Sequence, residues 1–60
     1  MDSAAQNARR VEVVEACGEW FVRVIEDHKQ TTAQFEVESF ALVYAEGQRI
    51  RLGLATIVRL

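Results

Sequence analysis

Between Val11 and Val37 the hydrophobic positions alternate with polar ones, and after Ser39 they switch to a helical spacing. "VEVVEA" and "EWFVRVIE" are rich in β-branched and aromatic residues and are separated only by Cys17-Gly18, a dipeptide suited to a two-residue hairpin because glycine accepts positive φ. "DHKQ" then parts the second run from "TTAQFEV" and reads as a four-residue hairpin loop. The expectation is a three-stranded antiparallel meander over residues 11–17, 19–27 and 31–37. The first turn sets Val13 opposite Val22 and Val11 opposite Val24. The second sets Val24 opposite Ala33, Val22 opposite Phe35 and Trp20 opposite Val37. One face then carries the rows Val11–Val24–Ala33, Val13–Val22–Phe35 and Glu15–Trp20–Val37, since side chains alternate along a strand. The other face carries Glu12–Arg23–Gln34, with a charge pair directly across two strands, and the partly apolar row Val14–Phe21–Glu36.

A helix follows over residues 39–52. Ser39 is the expected cap, Glu36 and Glu38 suit the positive end, and Arg49 and Arg51 suit the last turn. Gly53 fits the left-handed position just past the end, with Leu54 folding back. At roughly 100° per residue from Phe40, the apolar residues form two groups. Ala41, Tyr44, Ala45 and Leu52 lie between roughly 40° and 140°, and Phe40, Val43, Gly47 and Ile50 between roughly 280° and 360°. Together they exceed what one face of a small sheet covers. Gly47 lies inside this arc, where glycine costs roughly 1 kcal/mol against alanine. Three uses compete for it: a ring such as Trp20 or Phe35 packing over it, a second helix from another copy approaching it, or a break in the helix. The tail "LATIVRL" has a strand-like alternation and is left open between a further strand, a partner contact and a frayed end.

Sixty residues, half of them hydrophobic, make one small α+β domain over residues 11–60, preceded by a flexible N-terminus over residues 1–10. With no proline, one cysteine and one histidine, neither disulfides nor a structural zinc site reinforce it, which makes self-association a natural source of stability. The N-terminus lacks the apolar segment of a signal peptide, and no stretch reaches a membrane span, so the expected location is the cytoplasm, without membrane contact.

The stretch "AQFEVESFALVYAEGQRIRLG", with Gly18, Trp20, Val22, Arg23 and Val24 upstream, resembles short bacterial domains of unknown function in which a small antiparallel sheet runs into an alanine-rich helix, often with an A-x-x-Y-A pattern. Here that pattern is Ala41, Tyr44 and Ala45. The resemblance covers about residues 11–53 and departs from the commoner pattern at Gly47 and in the tail. It implies a sheet-plus-helix fold and carries over no catalytic residue.

Charge is unevenly spread under a net −2: all nine acids lie in residues 1–46, whereas Arg49, Arg51 and Arg59 stand in an acid-free end. These three form the candidate anion contact of a second reading, a nucleic-acid module joined by Arg9 and Arg10 with Phe21 for stacking. Their more economical role is to complement the helix C-terminus. His28 sits in a loop and Cys17 in a turn, without the partners a nucleophilic set requires, and no phosphate loop or metal-ligand spacing is present. The sequence therefore points to a non-catalytic interaction or scaffold domain that forms a homodimer, without cofactor or metal. Its candidate interface is Val43, Gly47, Ile50, Leu54, Ile57 and Val58.

Overall fold

A computed structural model describes residues 9–60. The expected flexibility of the N-terminus lies outside the described residues for positions 1–8, while Arg10 already belongs to the first strand. The elements are β1 (Arg10–Ala16), β2 (Glu19–Glu26), β3 (Lys29–Phe35), a helix α1 (Glu38–Leu52) and β4 (Val58–Arg59). The sheet has four strands in the order β3-β2-β1-β4. The three antiparallel strands are therefore only part of it: the tail supplies a fourth, which runs parallel to β1 with Glu12 opposite Val58 and Val13 opposite Arg59. The Leu60 N–H donates to the Val13 carbonyl at 3.0 Å and extends this pairing.

The first hairpin has the expected register, with Ala16 opposite Glu19, Val13 opposite Val22 and Val11 opposite Val24. Cys17 and Gly18 both take positive φ, 55° and 80°, as a tight turn matched to strand twist requires. Glu15 steadies it by accepting a 2.8 Å hydrogen bond from the Gly18 N–H.

The second hairpin departs from expectation. Its turn is Asp27-His28 alone, and Lys29 and Gln30 belong to β3. Asp27 enables this by adopting φ 49°, a region that aspartate tolerates better than most residues. Consequently β3 slides two places from the expected register: Val24 faces Thr31, Val22 faces Ala33 and Trp20 faces Phe35. A slip of two preserves the face of every side chain, so only the rows change. The strand also ends at Phe35, leaving Val37 outside the sheet.

Because β3 and β4 both run parallel to β1, α1 is the crossover between them, and it must pass over β2 and β1. Those two strands present Val22, Val24, Val11 and Val13, all fully buried. The helix meets them with Ala41 and Ala45, also fully buried, and with Leu52. Spacing of i and i+4 puts the two alanines one above the other on the same stripe, where their small side chains let the helix backbone settle close to the valines. Trp20, Phe35, Leu42, Tyr44, Leu54 and Ile57 pack around this centre and are partly buried.

Two expectations about the helix ends receive opposite outcomes. At its start, Val37 in extended conformation is the cap residue and makes no side-chain hydrogen bond, so Ser39 lies inside the first turn rather than capping it. The Ala41 N–H donating to the Val37 carbonyl at 3.2 Å shows that the helix begins earlier than residue 39. At its end, Gly53 takes φ 71°, its N–H donates to the Ile50 carbonyl at 3.1 Å, and the Leu54 N–H donates to the Arg49 carbonyl at 3.0 Å. This pair of bonds turns Leu54 back onto the core.

A domain of this size has a stability on the order of 3–9 kcal/mol. Val22→Ala should remove about 2–3 kcal/mol of it by leaving a cavity under the helix. Ala45→Leu should cost about 1–3 kcal/mol by forcing the helix off the valines. Val43→Ala, on the outer face, should change stability by less than about 0.5 kcal/mol. Urea denaturation of the three variants checks the ranking, and a Val43→Ala cost equal to that of Val22→Ala would contradict the helix orientation.

Candidate interaction surface

The helix stripe carrying Gly47 faces away from the sheet. Phe40, Val43 and Ile50 are 64 %, 73 % and 63 % exposed. Gly47 is exposed between them, and a methyl placed on it would meet nothing within 4 Å. The helix runs through Gly47 without interruption. This corrects the expectation that Trp20 or Phe35 packs over Gly47 within the chain; both aromatics instead lie against the valine core. Of the two apolar groups on the helix, the one containing Ala41 and Ala45 packs on the sheet, where the small side chains let the backbone come close. The bulkier group is left outside.

The candidate interface consequently divides. Val43, Gly47 and Ile50 remain on the outer face of α1. Leu54 and Ile57 pack against the core of their own chain, and Val58 is a half-buried member of β4. Phe40 was not among the candidate residues and is the largest exposed apolar side chain of the row. Its place at 0° on the same helical arc was a sufficient signal.

Each arginine of the candidate anion contact is paired with an acid. Arg51 makes a two-pronged contact with Glu26, at 3.0 and 3.4 Å, tying the end of α1 to the β2–β3 hairpin. Arg49 donates to Glu46 at 3.0 Å and to the Leu54 carbonyl at 2.9 Å, tying the helix end to the tail. Arg59 donates to Glu38 at 2.8 Å and lies 5.8 Å from the centre of the Trp20 ring, tying β4 to the helix start. The three side chains therefore work at three separate joints of the fold. Arg51 and Arg49 hold the carboxyls of Glu26 and Glu46 below their ordinary range, principally through these hydrogen bonds.

On the sheet face away from the helix, Glu12 is buried and takes the place the sequence assigned it. Arg23 Nε stands 3.3 Å from Glu12 Oε1 across the strands, and Arg10 Nε stands 2.7 Å from Oε2. The Arg23 contact is an ion pair without hydrogen-bond alignment, so Oε1 accepts no hydrogen bond. Around this charged centre Val14, Phe21 and Ile25 are half-buried. The tail does not cover this face; it joins the sheet at its edge.

His28 and Cys17 are exposed turn residues. Among the described residues there is no pocket and no group of three His, Cys, Asp or Glu side chains placed to hold a metal ion. No helix of the described residues is long and apolar enough to cross a membrane. Comparison with protein-family models, with curated proteins and with solved structures returns no match.

The arginine joints carry a pH signature. Carboxyls whose pKa is lowered by folding stabilise the native state above their unfolded value, 4.5, and this contribution is lost as pH falls through the lower folded value. Arg51→Gln should therefore lower the melting temperature at pH 7, and the gap to the unaltered chain should narrow as pH drops below 4.5. A gap that stays constant from pH 7 to pH 3 would show that Glu26 is not held by Arg51.

Proposed function

We propose that this protein is a small non-catalytic interaction module that self-associates, and that the outer face of α1 is its contact surface. The observation that carries this reading is the row Phe40, Val43 and Ile50, exposed together on one helix around an unobstructed Gly47. Single exposed apolar residues are ordinary, but a contiguous apolar patch is a recurrent mark of an interface. A glycine in its middle adds a place where another backbone can come close. Two-fold pairing is the commonest way for such a surface to be covered by a copy of itself. The alternative, nucleic-acid binding through Arg49, Arg51 and Arg59, has less support, because each guanidinium already has a carboxylate partner. A cytoplasmic setting fits a chain with a lone exposed cysteine.

Sedimentation equilibrium tests the proposal. The chain should be dimeric at concentrations on the order of tens of micromolar. Val43→Asp combined with Ile50→Asp should shift it towards monomer without loss of helical signal. Gly47→Ala separates the two roles of that glycine. It should stabilise the monomer by about 0.5–1 kcal/mol through helix propensity, and Gly47→Leu should weaken the dimer. A monomeric mass at millimolar concentration would contradict the proposal.

A further inference from the structure

The two edges of the sheet differ sharply. On one side β4 contributes only Val58 and Arg59 beside β1, a short edge closed by a charge. On the other, β3 presents all seven of its residues with no neighbouring strand among the described residues. Natural edge strands are usually protected by charges, proline or bulges, since their unpaired N–H and C=O groups are a template for another strand. β3 has little of this. Lys29 at its start is its only charge, it contains no proline, and its register runs from Glu26–Lys29 to Trp20–Phe35 without a bulge. Gln30, Thr31, Thr32, Ala33 and Gln34 are uncharged.

The apolar flank of the helix lies on this same side. Tyr44 packs on Phe35 of β3 with ring centres 5.4 Å apart, which fixes the side of α1 that overlooks the open edge. Glu38, held by Arg59 of β4, marks the opposite side. Phe40 and Gly47 stand four residues before and three after Tyr44, so they share its flank.

We propose that a second copy of this chain adds to the β3 edge, β3 pairing antiparallel with β3 of the partner about a two-fold axis at Thr32, so that two four-stranded sheets become one continuous sheet. The inference rests on the self-association proposed above and adds a second seam to it: Val43 and Ile50 point away from the sheet and stay outside the β3 contact, so the outer face of α1 and the β3 edge are separate surfaces. Thr32 is the midpoint of Lys29–Phe35, so this register alone pairs every residue of both strands. It is also self-complementary. Thr32 meets its own copy, Gln30 meets Gln34 of the partner subunit, and Thr31 meets Ala33 of the partner subunit. Lys29 meets Phe35 of the partner subunit, so its alkyl stem lies beside a ring and no like charges oppose each other. A two-fold axis perpendicular to the sheet keeps both helices on one face, with their Phe40–Gly47 flanks turned towards each other across the two central strands. The open face of the sheet is a poorer partner surface, because Arg10, Glu12 and Arg23 interrupt it.

Disulfide trapping tests the edge directly. In a Cys17→Ser background, Thr32→Cys places two thiols opposite each other at a Cα separation of about 4.5–5.5 Å, within disulfide range. It should form a covalent dimer on mild oxidation, while Thr31→Cys, displaced from the axis, should form far less. Thr32 is exposed, so Thr32→Lys should leave the far-ultraviolet circular dichroism unchanged. It should raise the dimer dissociation constant roughly fivefold by opposing two like charges. If the unaltered chain is dimeric but Thr32→Cys traps no better than Thr31→Cys, or Thr32→Lys leaves the dissociation constant unchanged, the β3 edge is refuted and self-association stands. If the unaltered chain is monomeric up to millimolar concentration, self-association fails and the edge pairing with it.

Discussion

The contact of Ala41 and Ala45 with four valines is the one on which the rest of the structure depends. It places the helix over β1 and β2, the two strands that the β3–α1–β4 crossover has to span. Among the described residues every fully buried hydrophobic residue is a valine or an alanine, so the centre of the core is thin and its layers lie close. Larger side chains on that stripe would lift the helix and forfeit contacts on both strands at once. Leu52, Tyr44 and Leu42 fill the margins where more room exists.

What the helix turns outward follows from what it turns inward. A stripe of alanines buries little surface, and the bulkier residues are left on the far side, where Phe40, Val43 and Ile50 face solvent. The arginines then close the joints that a thin core leaves weak: Arg51 to the β2–β3 hairpin, Arg49 to the tail and Arg59 to the helix start. Exposed pairs of this kind contribute little singly, but they fix how elements sit relative to one another. The same basic residues that suggested an anion site are thereby given a structural role. Among the described residues the outward apolar row has no comparable use, which is why the proposed function is placed there.

Much of the fold was legible in the sequence because local rules were strong there. Alternation and the Cys17-Gly18 turn specified the first hairpin residue by residue, including the Glu12–Arg23 pair, and Gly53 specified the helix end. The second hairpin was legible only in its faces. Four polar residues look like a loop, and the ability of Asp27 to enter the left-handed region in a two-residue turn carries no glycine to announce it. The choice between the two apolar groups of the helix was not legible from periodicity, which counts hydrophobic residues without weighing how close they let a backbone come. The tail was ambiguous for a related reason: two residues pairing parallel to a distant strand depend on the crossover, not on local pattern. Of the candidate interface residues, Leu54 was legible as folding back after Gly53, whereas the packing of Ile57 on the core was not, because it depends on the path of the chain beyond that turn.

The orientation of α1 is the central claim, since both the compact core and the free apolar row follow from it. Methyl nuclear Overhauser contacts measured on the dilute chain test it most directly. The account predicts contacts from the Ala41 and Ala45 methyls to those of Val11, Val13, Val22 and Val24, and none from Val43 or Ile50 to these valines. Contacts from Val43 or Ile50 to the valines, with the alanine methyls silent, would show the helix docked by its other face and would contradict the account.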